Sequence, residues 1–180
     1  MLDITIPETE LWDDRKETFI YVKEQHLKLE HSLVAISKWE AKYHKPFLFT
    51  RDKTDEEILF YIKCMTVTQN VKPEVYLCIN EEHTRQIQEY IEDPMTATVF
   101  TDDNNKSTSS RFITSELIYC WMIFLKIPVK FEKWHLNRLL TLIRVCNVEN
   151  QPRKKMSSAD TTRHYAELNE ARRKKYNTRG

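Results

Sequence analysis

The sequence predicts an α+β chain that is mostly helical: short N-terminal strands forming a β-hairpin, then a helical bundle, then a basic C-terminal helix. Three observations predict it. Apolar residues alternate with polar ones only within residues 1–31. From Ser32 onward the apolar period lengthens to that of a helix. The 180 residues contain one glycine, Gly180, and therefore none of the glycine-built turns that sheet-rich folds use freely.

The strand segments come first. Leu2, Ile4 and Ile6 alternate with polar neighbours, Phe19-Ile20-Tyr21-Val22 is β-branched and aromatic, and Leu27, Leu29, His31 and Leu33 alternate again. Lys23-Glu24-Gln25 is expected to turn the second of these segments back onto the third. Leu33, Ile36, Trp39 and Tyr43 then share one helical face, and this helix should stop before Pro46 because the residue before proline resists the α region. Thr54-Asp55-Glu56-Glu57 is a capping-box pattern, followed by the stripe Ile58, Leu59, Ile62 and Met65. Pro73 suits the first position of a short helical segment through Ile79. Asn80-Glu81-Glu82 starts another helix, with Ile87, Tyr90 and Ile91 inward and an end near Pro94.

Thr98-Val99-Phe100 reads as a short extended piece, and Thr101 to Ser110 as a polar loop. Thr114-Ser115-Glu116 opens the most apolar helix. Leu117 to Leu125 carries no charge, so every face of it is expected to be covered. After Pro128 a helix from about Lys133 to Cys146 is expected. Its core face is Leu136, Leu139, Leu140, Ile143 and Cys146, and its polar face is Asn137, Arg138, Thr141 and Arg144. These two helices are expected to form a central antiparallel pair.

Residues 1–150 therefore read as one globular domain (1–31 strand-rich, 32–150 helical), and 151–180 as a basic linker and helix. The formal charge of +1 hides this division: residues 151–180 carry nine Lys/Arg and three acids, while 1–150 carry 19 bases and 24 acids. The final helix starts at Ser157-x-x-Asp160 and has too little apolar content for a core of its own.

The missing glycine excludes phosphate-cradling loops, dinucleotide turns and the G-x-S-x-G elbow. None of the six histidines has metal-ligand spacing. Glu30-His31, on a strand, would face opposite sides. Asp55-Glu56-Glu57 is explained as a helix cap, and Asp102-Asp103-Asn104-Asn105 lacks both the glycine and the downstream glutamate of a calcium loop. We expect no enzyme, no catalytic residues, no metal and no cofactor. Cys64, Cys78, Cys120 and Cys146 show no C-x-x-C pair and read as buried reduced thiols. The first residues do not read as a signal peptide, and Ile113–Val129 reads as too short and too interrupted to span a membrane.

Two features remain as candidate partner-binding residues. Trp134, with Arg138 one turn further on, has the chemistry of a protein-binding hot spot; the alternative is packing of Trp134 on the preceding helix. Arg172, Arg173, Lys174 and Lys175 spread four positive charges around one helical turn, which suits diffuse contact with phosphate or an acidic protein surface.

Several blocks together carry a family resemblance: Leu29-Glu30-His31-Ser32-Leu33 through Ser37-Lys38-Trp39-Glu40, His44-Lys45-Pro46-Phe47-Leu48, Tyr61-Ile62-Lys63-Cys64-Met65, Pro94-Met95-Thr96-Ala97-Thr98, and Lys133-Trp134-His135-Leu136-Asn137-Arg138 through Ile143. The ending, from Leu168-Asn169 to Asn177-Thr178-Arg179-Gly180, belongs with them. In these blocks the chain resembles proteins of tailed bacteriophages of Gram-positive hosts that are assigned as tail assembly chaperones. The resemblance implies a protein of the host bacterial cytoplasm, absent from the mature virion. It would bind the hydrophobic helices of the phage tape-measure protein until tail-tube protein assembles around them. It implies the tape-measure protein as partner, the tail-tube protein as a further one, and no catalytic residues; beside the resemblance, a second copy of the chain is a further expected partner and a membrane is not. A longer frameshifted form is common in that family. Two alternative readings stand beside it: a nucleic-acid-binding phage protein using the basic C-terminal helix, and a virion structural protein of the head–tail connector or tail completion type.

Overall fold

A computed structural model describes residues 1–13, 17–100, 112–150 and 158–176. The polar segment 101–110, the linker 151–155 and the terminal Asn-Thr-Arg-Gly lie outside the described residues. The architecture is α+β and mostly helical, as the patterning predicts. Among the described residues, four short strands are followed by six α-helices and two 3-10 turns. The strands are β1 (Leu2–Ile6), β2 (Thr9–Asp13), β3 (Thr18–Val22) and β4 (Gln25–Leu29).

The strands pair differently from the expectation. β1 pairs with β4 and β2 with β3, both antiparallel. In both ladders the partner numbers add to 31, from Leu2 opposite Leu29 to Asp13 opposite Thr18. The two sheets are thus halves of one long ribbon in a single register. Lys23-Glu24 is not a turn but a break within the returning strand. It lies opposite Pro7-Glu8, where proline offers no N–H to a ladder. The buried face changes across this break. Ile4, Ile6, Leu27 and Leu29 are buried in the first half, whereas Leu11, Ile20 and Val22 turn inward in the second. By the two-residue period these sets lie on opposite faces of a continuous ribbon. Trp12 and Phe19 consequently face solvent, edge-to-face at 4.9 Å.

The edge of β4 is filled from elsewhere. Glu30 N–H donates to Met65 O (2.8 Å) and Val67 N–H to Lys28 O (2.8 Å). Lys28 N–H donates to Thr68 Oγ1 (2.9 Å). His31 is not in the strand; it begins the turn into the first helix.

Helix α1 (Leu33–Tyr43) is the hub. Ser32 caps it, accepting from Ala35 N–H, and Leu33, Ile36 and Trp39 are fully buried. It ends at His44 in the left-handed region (φ 55°), two residues before Pro46. α2 (Asp55–Met65) opens with the capping box read from Thr54 and Glu57. Its inward face is Tyr61, Ile62 and Met65, whereas Ile58 is exposed, contrary to expectation. After a 3-10 turn (Pro73–Cys78), α3 (Glu81–Glu92) buries His83, Ile87 and Tyr90.

Residues 98–100 form no strand, and Val99 is exposed. α4 (Ser115–Phe124) stops before Lys126, another left-handed residue (φ 56°). A second 3-10 turn (Val129–Lys133) precedes α5 (Leu136–Asn150), which begins three residues later than expected. On α5 Leu136, Leu139 and Ile143 are buried, while Leu140 and Cys146 are half-buried. α4 and α5 are not the central pair. α1 packs most extensively on α2, and next on α4. α1 presents a stripe of large, fully buried side chains, Leu33, Ile36 and Trp39, to these neighbours.

The chain divides into two compact units, 1–147 and 148–180. The second contains α6 (Ser158–Tyr176), whose side chains from 162 to 176 are all exposed.

Candidate functional site

α4 carries two apolar faces. The inner one, Ser115, Ile118 and Met122, is buried. The outer one is not. Cys120 is exposed, Ile123 is 73% and Phe124 83% accessible, and Val129 follows at 58%. Glu116, Cys120 and Ile123 fall at helical spacing, and with Tyr119 and Phe124 they line a shallow depression. The expectation that every face of this helix is covered is therefore wrong. The chain supplies no neighbour for the outer face among the described residues. Adjacent exposed large apolar side chains mark an interaction surface more specifically than scattered ones do. Burying Ile123 and Phe124 against a partner would contribute roughly 1.5–3 kcal/mol each.

A buried carboxylate positions this helix. Glu40 is 7% exposed. Its Oε1 accepts Phe47 N–H (2.8 Å) and its Oε2 accepts Ser115 N–H (2.7 Å). Ser115 is the first residue of α4, so the negative charge sits at a helix N-terminus, where it is favoured. Sequence reading missed this role. The available signal was an acid on the apolar face of α1, four residues after Ile36. Midway along the helix, Tyr119 Oη donates to Glu132 Oε2 (2.8 Å), tying α4 to the 3-10 turn that carries Val129 and Phe131.

Trp134 and Arg138 come together. The Arg138 guanidinium lies 4.1 Å from the Trp134 ring centroid, and Phe131 stacks on the same indole at 4.2 Å. Trp134 is half-buried and Arg138 exposed. The polar face read for α5 is partly occupied. Asn137 Nδ2 donates to the carbonyls of Ile91 (3.0 Å) and Asp93 (2.8 Å), closing the end of α3. The Arg144 guanidinium lies 4.0 Å from the Phe100 ring centroid.

In the second unit Arg172, Arg173, Lys174 and Lys175 are all exposed on α6. Lys174 pairs with Glu170 at 2.8 Å, one turn earlier. The exposure of Ile58 has its own explanation: it lies in an apolar groove with Phe47, Ile62, Ile87 and Ile91, rimmed by Arg51 and Lys53.

The histidines do not gather as ligands, and no group of three His, Cys, Asp or Glu with metal-binding geometry occurs among the described residues. His31 and His135 are both buried, with ring centroids 5.1 Å apart. His31 Nδ1 bonds to Tyr61 Oη (2.5 Å), and His135 Nε2 to the Tyr90 carbonyl (2.9 Å). Burial, and then the neighbouring His135, push the His31 pKa down to about 3. This arrangement suits two neutral rings that join α1, α2, α3 and α5. The cysteines depart from expectation: Cys64, Cys78 and Cys146 are half-buried and Cys120 is exposed; all four are free. Burial raises the thiol pKa of Cys64 and Cys78. No described helix is long and apolar enough to cross a membrane.

No protein-family model, curated protein or solved structure matches this chain.

Proposed function

We propose that this protein is an assembly chaperone that holds an apolar helical client on the outer face of α4, as tail assembly chaperones of tailed phages hold the tape-measure protein. The observation that carries the reading is the exposed apolar row Cys120, Ile123 and Phe124. It lies on a helix whose other face is anchored by Ile118, Met122 and the Glu40–Ser115 bond. A rigid support with an uncovered apolar stripe suits capture of an amphipathic helix, because the stripe is already ordered and little entropy is lost on binding. The resemblance in the blocks from Leu29 to Ile143 supplies the identity of the client. Such a protein acts in the host bacterial cytoplasm and leaves before the virion matures. Trp134 with Arg138, and separately the basic turn of α6, are further candidate contacts, the latter for acidic client or tail-tube segments.

The test is amide hydrogen exchange with a synthetic helix taken from a tape-measure protein. Protection centred on residues 116–129 supports the reading. Protection confined to α6 would favour the second reading, a nucleic-acid-binding protein, which rests on the four exposed cations at 172–175.

A further inference from the structure

We propose that the free edge of β3 is a strand-addition site that takes one extended peptide segment from a partner protein, distinct from the helical client on α4. The returning strand of the ribbon, residues 18–29, has one outer edge. Along β4 that edge is occupied: Met65 to Thr68 lies antiparallel to it, through the bonds at Glu30, Lys28 and Val67. This bridged segment stops at Thr68, whose hydroxyl also reaches His26 O (3.4 Å). Asn70, at φ 57°, then turns the chain aside, and Pro73 starts a 3-10 turn.

Beyond that point the position of a third strand is empty, and a groove of about 490 Å³ takes its place. One wall is residues 20–25 and the other is Asn70, Lys72, Glu74 and Val75. Ile20, Tyr21 and Val22 of β3 line the first wall in succession, followed by Lys23, Glu24 and Gln25. An edge contributes consecutive residues, whereas the face of a sheet contributes every second one. Edge strands leave alternate N–H and C=O groups unpaired, and no backbone bond joins β3 to any strand but β2 among the described residues.

The chemistry of the edge selects the occupant. Thr18-Phe19-Ile20-Tyr21-Val22 has no charged residue, no proline and no lysine guard, whereas the opposite edge, β2, carries Glu10 and Asp13. Ile20 is the half-buried apolar residue of the groove, Val22 and Val75 lie beneath it in the core, and Lys23 and Glu24 with Lys72 and Glu74 give it charges of both signs. A short extended segment of alternating Thr and Val fits this arrangement: its main chain completes the ladder, its valines pack beside Ile20 and its polar side chains meet the charged rim. A groove walled on both sides holds a single strand, and the wall at Asn70–Val75 obstructs the hairpin of a second copy.

The probe is acetyl-Lys-Thr-Val-Thr-Val-Thr-Lys-amide, added to the full chain at about 1 mM, a concentration suited to weak peptide affinities. Amide exchange of residues 18–24 is expected to slow on addition. The same peptide N-methylated at its valines is expected to bind at least about tenfold more weakly, having lost two ladder donors. Lys72→Trp, at an exposed position, is expected to fill the groove and abolish binding of the unmethylated peptide. Phe124→Glu is expected to leave peptide binding unchanged, which separates this site from the α4 surface. Equal binding of the methylated peptide, absence of protection at 18–24, or protection that grows with protein concentration without peptide would overturn the proposal; the last outcome would assign the edge to a second copy.

Discussion

Glu40 Oε2 accepts the backbone N–H of Ser115 at 2.7 Å, joining the end of α1 to the start of α4 across 75 positions of sequence. The other oxygen holds Phe47 N–H, so one buried side chain fixes both the loop after α1 and the helix that bears the exposed apolar row. Glu40→Ala leaves two buried donors unsatisfied and removes the charge from the helix N-terminus. It is expected to cost about 3 kcal/mol in urea unfolding, and Glu40→Gln, which keeps one acceptor oxygen, about half of that. A loss below about 1 kcal/mol for the alanine variant would show that water or another group replaces the carboxylate.

The left-handed residue at the end of α1 gives a second prediction, with the opposite sign. His44 takes φ 55° and donates its N–H to Glu40 O, a geometry in which glycine is favoured because a Cβ crowds the backbone. His44→Gly is expected to raise stability by a few tenths to about 1 kcal/mol, read as a shift in the urea midpoint. A destabilised variant would mean that the imidazole makes a contact worth more than the backbone strain.

Much of the fold was legible because its signals are local. Thr54 and Glu57 form the capping box that their spacing predicts, Ser32 caps α1, and Pro73 starts its 3-10 turn. What was not legible depends on long-range choice. Lys23-Glu24 looks like a turn locally, and only the pairing of β2 with β3 makes it a break opposite Pro7. The uncharged run Leu117–Leu125 implies a buried helix, but composition cannot say whether neighbours cover one face or two. Here the inner face is covered and Ile123 and Phe124 are left outside. Glu40 was hidden for the same reason: its partner Ser115 is distant in sequence. The basic turn at 172–175 was plain from composition, and its exposure on α6 follows from the absence of an apolar stripe there.

Acid should weaken the fold before ordinary carboxylates titrate. His31 has a folded pKa of about 3 against an ordinary value of 6.5, so the folded state favours the neutral ring. Its contribution is fully present above about pH 6.5 and falls as the unfolded chain takes up the proton that the folded chain refuses. Between pH 6.5 and 5 stability is expected to fall by up to about 1.4 kcal/mol per pH unit for this group. Urea midpoints measured across that range check it. His31→Gln should flatten the slope, and a profile that keeps the wild-type slope would move the effect to other groups.

The cations of α6 separate the chaperone reading from the nucleic-acid reading. Replacing Arg172, Arg173, Lys174 and Lys175 together by Gln is expected to leave client holding within about threefold, since each exposed charge contributes little. If the chain binds duplex DNA through these residues, fluorescence anisotropy would show affinity that falls steeply with salt and disappears in the Gln variant. Client holding lost together with DNA affinity would place the client on α6.

The most direct measurement is co-expression of a tape-measure protein with this chain, followed by separation of soluble and insoluble client. The wild-type protein is predicted to keep the client soluble. The doubly substituted chain, Ile123→Glu with Phe124→Glu, should fold with stability within about 1 kcal/mol of wild type, because both positions are exposed, and should let the client precipitate. A client that precipitates equally with the wild-type chain, or stays equally soluble with the substituted one, would contradict the assignment of the α4 face.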